Sequence, residues 1–268
     1  IKVYEGRENR IIFLGMDQAR DELLYSNVKG KNPFKDKRVR QAFYQAIDIQ
    51  AINKAVMRGL SVPTAINLPN PELAGIPKAM DKRYPYDPNA AKKLLAEAGY
   101  PNGFEVTIGT PNDRYINDEK IAQAVAQMLT RIGIKTNVDA MTASTFFTRR
   151  NKFEFSMYLA GWGADSGEMS NSMNSLVVTL QPDKGLGPTN RGRYSNPKVD
   201  ELVVKAMATV DEAAREKLLQ EASKTAMSDY AIIPLHFEVT PWAFKKGLSY
   251  KPRVDQYTLA TEITQAGS

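Results

Sequence analysis

The stretch FEVTIGTPNDRYINDEKIAQAVAQMLTRIGIKTNVDA, residues 104–140, decides the fold class because strand and helix patterns alternate along it. Residues 118–132 repeat apolar side chains at helical spacing, and a short helix is predicted through residues 146–147. Three strands are predicted, over residues 104–110, 134–140 and 153–162. Strand, helix, strand, helix, strand implies right-handed crossovers and a parallel or mixed sheet, so the predicted fold class is α/β.

Capping residues mark further helices on either side of this stretch. Asp48 is placed as an N-cap, and Gly59 follows where a left-handed C-terminal residue belongs. Asp87 and Pro88 begin another predicted helix, which Gly99 ends. The remaining predicted elements are helices that begin near residues 36, 197 and 211 and strands over residues 10–16 and 232–239.

Two segments lack such patterns. Between residues 60 and 88, six prolines predict an irregular loop on the surface. Residues 242–268 show no packing partner within an α/β lobe, so we expect them to belong to something outside it. The chain also begins at Ile1 with no initiator methionine and no signal-peptide pattern, which predicts a mature protein or a piece of a longer one.

The composition excludes several classes of protein. The 268 residues contain no cysteine, which excludes disulfides, thiol nucleophiles and iron–sulfur clusters. The longest apolar run, residues 11–16, is far shorter than the roughly 20 residues that a membrane-spanning helix needs. The net charge of +6 is spread along the chain rather than gathered in a stripe, so no nucleic acid is expected as a partner.

Signatures of catalysis are sparse. His236 is the single histidine, and it lies in an apolar strand pattern two residues before Glu238. With no other histidine and no cysteine, this pair cannot complete a zinc or nickel site, so neither a metal nor another cofactor is expected. A serine triad would need the same histidine, and no Gly-x-Ser-x-Gly elbow is present. The sequence therefore favours a protein that is not an enzyme.

The segment with the most specific chemistry lies at the carboxyl end of the third predicted strand. The strand runs into Gly161, Trp162 and Gly163, and Asp165 begins the loop beyond it, where ligand sites occur in α/β folds. Glycines there let a ligand approach the backbone, the indole offers a flat apolar wall, and the aspartate offers a fixed negative charge. The residues alone fit equally well a core tryptophan followed by an ordinary turn at Asp165.

Several motifs in order resemble those of the family 5 solute-binding proteins, which are the periplasmic receptors of peptide, dipeptide and nickel ABC importers. The motifs are NPFKDKRVRQAF at residues 32–43, AID at 46–48, YDP at 86–88, AKKLLAEAG at 91–99, MLTRIGI at 128–134, GW at 161–162, YSNPKVD at 194–200 and IPL at 233–235. The match runs from about residue 10 to residue 237. Since members are about twice this length, the chain resembles the C-terminal half of one.

The resemblance implies two α/β lobes that are joined by hinge strands and close on a ligand, without covalent chemistry. On this basis, residues 1–14 are a hinge-entry strand, and residues 15–235 are a ligand-binding lobe with a mixed sheet flanked by helices. Residues 236–268 are then the return hinge and a segment that packs on the N-terminal lobe, which is absent.

The same resemblance implies a function and its partners. The expected partners are a small peptide-like, amine-bearing solute, the N-terminal lobe of the same protein and an ABC permease in the inner membrane. The expected location is the periplasm, or the outer surface of Gram-positive cells with a membrane anchor. Two alternatives stay open, a ligand-sensing domain fused to a DNA-binding regulator and a hydrolase of small peptides.

Site residues are implied position by position. In peptide-binding members, the aspartate of a Gly-Trp-x-x-Asp segment pairs with the ligand's α-amino group and the tryptophan lines the pocket, which Asp165 and Trp162 match. Leu159 stands where oligopeptide receptors can carry an arginine, and Glu168 and Met169 replace an Asp-Pro. Arg114 and Tyr115, beyond the strand at residues 104–110, are further candidate contacts by position alone. The alternative is that Arg114 and Tyr115 are exposed loop residues without a role in binding.

Overall fold

A sheet whose strands run in both directions forms the centre of the molecule. The computed structural model describes residues 1–66, 78–164 and 168–265. The strands in these ranges are β1 (Lys2–Met16), β2 (Ser61–Pro63), β3 (Glu105–Pro111), β4 (Lys135–Met141), β5 (Met157–Gly163), β6 (Ile233–Phe244), β7 (Leu248–Ser249) and β8 (Thr264–Gln265). Six of them form the main sheet in the order β2-β6-β1-β5-β3-β4. Because β3 is parallel to β4 and β5 while β1 is antiparallel to β5 and β6, the sheet is mixed, and the predicted α/β class is confirmed.

Helices cover both faces of this sheet. They are α1 (Lys37–Gln45), α2 (Ile49–Ala51, continued as a π-helix over Ile52–Val56), α3 (Pro88–Glu97), α4 (Asp118–Thr130), α5 (Ala143–Asn151), α6 (Ser170–Leu176), α7 (Pro197–Met207) and α8 (Glu212–Ser228). None of the helices in the described ranges is long and apolar enough to cross a membrane.

Alternation along β1 divides the apolar core into two layers. Ile12 and Leu14 are fully buried and belong to the layer that includes side chains of α1, α3 and α4. Ile11 and Phe13 face the other way and join the layer formed with α5, α6, α7 and α8. Successive residues of a strand point to opposite faces, so a continuous apolar run is what a strand covered on both sides requires.

The predicted capping residues perform that function in the structure. The Asp48 carboxylate accepts a hydrogen bond from the backbone N–H of Ala51 at 3.0 Å, and Asp87 accepts one from Ala90 at 2.8 Å. Gly59 has a φ of +83°, a conformation that a residue without Cβ adopts at little cost after a helix end. These local signals confirm the predicted start of the helices.

The predicted irregular loop is wrong at residues 61–63, which form β2 and pair with β6. Pro63 lies at the end of this strand and at the edge of the sheet. Proline is tolerated there because an edge strand leaves some of its N–H groups unpaired.

Helix α6 was not predicted, and β6 continues five residues beyond the predicted end at residue 239, as far as Phe244.

Beyond the sheet, β1 and β6 continue as a two-stranded ribbon. Lys2 pairs with Phe244, and a register shift separates this ribbon from the part of β1 that also pairs with β5. The chain after β6 folds back onto the ribbon, where the indole N–H of Trp242 donates to the Thr258 hydroxyl at 2.9 Å. The segment around Thr258 therefore has a partner in the chain. Its assignment to a second lobe stays a prediction.

Candidate functional site

The carboxyl ends of β3, β4 and β5 lie at one edge of the sheet, which we call the carboxyl edge. Pro111 pairs with Met141 there, and Gly163 pairs with Arg10 of the antiparallel strand β1. Strand β6 brings Glu238 to the same edge, where its carboxylate lies 3.3 Å from the Arg10 guanidinium. The edge is therefore built from the ends of three strands and the two strands of the ribbon.

Strand β5 ends at this edge with the predicted glycines and tryptophan. Trp162 is half-buried, and its indole N–H donates to the Asn171 side-chain oxygen of α6 at 3.1 Å. A Cβ on Gly163 would lie 3.6 Å from the Arg10 guanidinium, an ordinary contact distance. Asp165, the predicted partner of a ligand amine, lies outside the described residues.

Gly161 provides room for Tyr115. A Cβ at position 161 would lie 2.7 Å from a ring carbon of Tyr115 and 3.0 Å from the side chain of Ile12, both too close. The Tyr115 hydroxyl donates to the Gly161 carbonyl oxygen at 3.3 Å. The sequence suggested that a glycine here leaves space for a ligand, but in the structure a neighbouring aromatic ring fills that space.

The loop between β3 and α4 is held at two points. The buried Asp118 carboxylate accepts hydrogen bonds from the backbone N–H groups of Arg114 and Tyr115 at 3.0 and 2.9 Å. The N–H of Ile116 donates to the Glu238 carboxylate at 2.9 Å. These bonds fix the loop against both the first turn of α4 and strand β6, so its two candidate contact residues have defined positions.

Those two residues differ in exposure. Tyr115 is 7% exposed and belongs to the core, whereas Arg114 is exposed and its guanidinium lies 5.1 Å from the centre of the Tyr115 ring. No carboxylate in the described part of the chain forms an ion pair with Arg114. The alternative of an exposed loop residue therefore fits Arg114 and not Tyr115, and Arg114 presents to solvent a positive charge that has no ion-pair partner among the described residues.

Two buried acids lie where the ribbon meets the carboxyl edge. Glu8 and Glu238 are 3% and 4% exposed, and Arg10 lies 3.8 Å and 3.3 Å from their carboxylates. Burial, reinforced by the negative charge of Glu238, raises the pKa of Glu8 to about 7, although Arg10 opposes the shift. Burial also raises the pKa of Glu238. Gln256, from the segment after β6, donates to the Glu8 carboxylate and so covers this cluster.

His236 occupies a different environment from a catalytic or metal-ligating histidine. It is fully buried in β6, and neither ring nitrogen has a hydrogen-bond partner among the described residues. Burial lowers its pKa to about 4, so the ring is neutral at physiological pH. No group of three or more metal-ligating side chains occurs in the ranges that the structure describes.

Sequence reasoning did not single out Glu8, Arg10 or Asp118 as site residues. Glu238 does carry a signal, since it is a charged residue in a strand pattern that is otherwise mainly apolar, whereas Arg10 follows the polar residues 7–9. A buried charge needs a partner, so once the pairing of β1 with β6 is known, Arg10 can be identified as the partner of Glu238. Glu8 had no such signal, because its burial depends on a segment more than two hundred residues away in the chain.

The family of the chain follows from comparison with known sequences. Residues 1–182 match the family described as bacterial extracellular solute-binding proteins, family 5, middle region. The chain is 31% identical over 226 residues to glutathione-binding protein GsiB of Shigella flexneri, covering 82% of this chain and 43% of that protein. It is also 31% identical over 215 residues to heme-binding protein A of Haemophilus influenzae, covering 78% of this chain and 38% of that protein. The chain thus spans less than half the length of these relatives.

Solved structures show the same fold. The periplasmic binding protein DppA from Helicobacter pylori, solved with the peptide STSA, has a TM-score of 0.78 at 24% identity. That match covers 98% of this chain and 49% of the DppA chain. The sheet order, the helices on both faces and the matched sequence agree with the resemblance found in the motifs, and the chain belongs to the family 5 bacterial extracellular solute-binding proteins.

Proposed function

We propose that the chain is the C-terminal lobe of a receptor that captures peptides, or similar small amine-bearing solutes, and delivers them to an ABC permease in the inner membrane. The ligand binds between the carboxyl edge and an N-terminal lobe of the same protein, in the periplasm or, with a membrane anchor, on the outer surface of Gram-positive cells. The relatives named for glutathione and the structure solved with a peptide support this class of ligand. The receptor performs no covalent chemistry.

One observation carries the proposal: the predicted ligand-contacting segments and the ribbon strands meet at a single edge. Arg10 pairs with Gly163 at the end of β5, while Ile116 donates to Glu238 of β6. A rotation of the ribbon is therefore transmitted directly to the groups that would touch a ligand. Hinged closure around a ligand requires this proximity of pivot and site.

The proposed roles follow from charge and shape. Asp165 pairs with the ligand's amine, since a carboxylate in a cleft closed to water forms a strong charge-assisted hydrogen bond. Trp162, half-buried at the strand end, forms an apolar wall. Arg114, exposed and without an ion-pair partner among the described residues, attracts the ligand's carboxylate. Gly161 and Tyr115 contact each other and together fix the shape of the protein surface beneath the ligand.

The test begins with the full-length receptor, which is purified under native conditions and analysed by mass spectrometry for a solute that co-purifies. Calorimetry then compares a dipeptide with its N-acetylated form and with its C-terminal amide. We expect acetylation to weaken binding because it removes the charge that Asp165 would meet, and amidation to weaken binding through Arg114.

Three variants separate these roles from changes in folding. Arg114→Gln should weaken binding of the free dipeptide but leave the affinity for the amide unchanged. Arg131→Gln, at an exposed position just after the end of α4, should affect neither. Trp162→Ala should weaken all three ligands. Absence of any bound solute, or peptide hydrolysis during the titration, would overturn the receptor function.

A further inference from the structure

Arginine side chains gather near the amino end of β5, about 16 Å along the strand from the carboxyl edge. Arg150, from the last turn of α5, has its guanidinium 5.3 Å from the Phe147 ring centre and 5.7 Å from that of Tyr158. Arg191, from the loop between α6 and α7, lies 5.5 Å from the ring of Phe153. Two segments that are distant in sequence, α5 and the loop before α7, therefore bring positive charge to the same end of β5.

The neighbouring arginines in this region have carboxylate partners. Asp17 lies 2.7 Å from Arg20 and 2.6 Å from Arg193, so one buried acid serves two cations. Arg149 pairs with Asp139 at 2.8 Å and with Glu154 at 3.3 Å. The acids close to this place are thus already engaged.

Arg150 and Arg191 have no carboxylate partner in the part of the chain that the structure describes. Arg150 is only 8% exposed, and its buried Nε has no hydrogen-bond partner among the described residues. Arg191 donates from Nε to the Asn151 side-chain oxygen at 3.1 Å, which is a neutral partner. Burial and the positive charge of Arg150 lower the pKa of Arg191, which shows that the two cations repel each other.

A buried, unpaired guanidinium costs free energy, and a second one nearby adds repulsion. Tyr158 lies in the same space, since its ring centre is 5.7 Å from the Arg150 guanidinium and its hydroxyl lies near the backbone N–H of Gly192. Burial raises the pKa of this hydroxyl, so it keeps its proton and can donate. Two guanidinium groups and a hydroxyl, carried by three different segments, supply the several donors that the acceptor oxygens of a tetrahedral anion need.

We propose that Arg150, Arg191 and the Tyr158 hydroxyl form a binding site for a small tetrahedral oxyanion, either phosphate or sulfate. The site lies away from the carboxyl edge and does not depend on the function proposed there. Its occupant neutralises the two unpaired cations and ties α5, β5 and the loop before α7 together.

The test measures thermal unfolding of the chain in increasing inorganic phosphate, with sodium chloride holding the ionic strength constant. Calorimetry with phosphate and with sulfate in separate titrations then identifies the preferred anion. For the unaltered chain we expect the Tm to rise with phosphate and to level off, as binding to one site requires. The matched control is Arg131→Gln, which changes the same charge at an exposed position on another surface.

Arg191→Gln is the decisive variant because Arg191 is only half-buried and its removal leaves Arg150 in place. We expect the dissociation constant for phosphate to rise by about tenfold or more, the loss that follows removal of a charge-assisted hydrogen bond. In chloride alone the variant should melt no lower than the unaltered chain, because one of two repelling cations is gone. Arg150→Met, which keeps an unbranched apolar side chain against Phe147 and Tyr158, should also lose the phosphate response.

Two results would overturn the site. A phosphate response that is equal in Arg191→Gln and in the unaltered chain would be the general stabilisation that such salts give to any folded protein. A variant that melts lower in chloride and still binds phosphate normally would assign Arg191 a purely structural role.

Discussion

The ring of Tyr115 occupies the space that a side chain at Gly161 would need, and its hydroxyl donates to the Gly161 carbonyl oxygen at 3.3 Å. One residue lies in the loop after β3 and the other in β5, so this contact joins two of the segments that form the carboxyl edge. A glycine in the Gly-Trp-Gly segment is therefore required by the protein's own packing.

Substitution at the two glycines of this segment should have unequal effects. Gly161→Ala forces the Tyr115 ring or the strand to move, and we expect a loss of about 1–3 kcal/mol in the free energy of unfolding. Gly163→Ala places its Cβ at an ordinary distance of 3.6 Å from Arg10, so its cost should be small. Urea denaturation of both variants measures the difference. Equal losses would contradict the packing argument, and Gly161→Ala combined with Tyr115→Leu should recover part of the lost stability.

Stability should depend on Glu8 in a direction opposite to that of an ion-paired surface acid. Its pKa rises from 4.5 to about 7 on folding, so the native state binds the proton more tightly than the unfolded state. The stabilisation that comes from protonated Glu8 is complete below about pH 4.5 and is lost as the pH rises to about 7. The total loss is about 3 kcal/mol. Denaturation of Glu8→Gln at pH 5 and 7 should show that this fall is missing, while Glu201→Gln on the exposed face of α7 keeps it.

Titration of His236 should change the stability of the fold in the opposite direction over nearly the same pH range. Its pKa falls from 6.5 to about 4 on folding, so stability is complete above pH 6.5 and is lost as the pH drops toward 4. Relative to the unaltered chain, His236→Gln should therefore lose stability more steeply as the pH rises from 4.5 to 6.5. The gain from His236 is then absent, and only the loss from buried acids such as Glu8 is left. A parallel pair of pH profiles would show that burial does not shift this histidine.

Asp165→Asn tests the proposed amine contact in the full-length receptor. Loss of a charge-assisted hydrogen bond in a closed cleft should reduce affinity for amine-bearing ligands by about ten- to a hundredfold, with the Tm nearly unchanged. Calorimetry and thermal unfolding measure the two quantities, and Asp183→Asn provides a control at an exposed position. If Asp165 is only a turn residue, the Tm falls and the affinity stays constant.

The chain of 268 residues should bind ligands weakly when it is separated from an N-terminal lobe. Half a cleft leaves most of the ligand in water, so little of the apolar burial that drives affinity is realised. Calorimetry of this chain beside the full-length receptor measures the difference. Micromolar or tighter binding by the separate chain would contradict closure between two lobes.

Local chemistry explains which parts of the fold the sequence predicts. Asp48 and Asp87 cap their helices through their own side chains, so a few adjacent residues contain the whole signal. Strand β2 is different, since Ser61–Pro63 becomes a strand only by pairing with β6, far along the chain. No local pattern among prolines could have predicted it.

The residues of the candidate site also fall into those that a local sequence pattern predicts and those that depend on distant contacts. Gly161 and Trp162 lie at the end of a recognisable strand, and a family motif marks them. Glu8 is buried through contacts with β6 and Gln256, so its environment exists only in the folded chain. Prediction from sequence therefore finds the residues expected to touch a ligand more easily than the charged residues that fix the pivot behind them.

The position of β1 at the centre of the sheet also determines when the fold can be completed during synthesis. Its partners are β5 and β6, and Lys2–Met16 must wait for Ile233–Phe244 to appear on the order of 200 residues later. At about 5–20 residues per second, the ribosome needs ten seconds or more to supply that last strand. The unit β3–α4–β4 can form early from neighbouring segments, whereas β1 gains one partner when β5 is made and its other partner only with β6. The main sheet of a nascent chain of this topology thus stays incomplete until Ile233–Phe244 has been made.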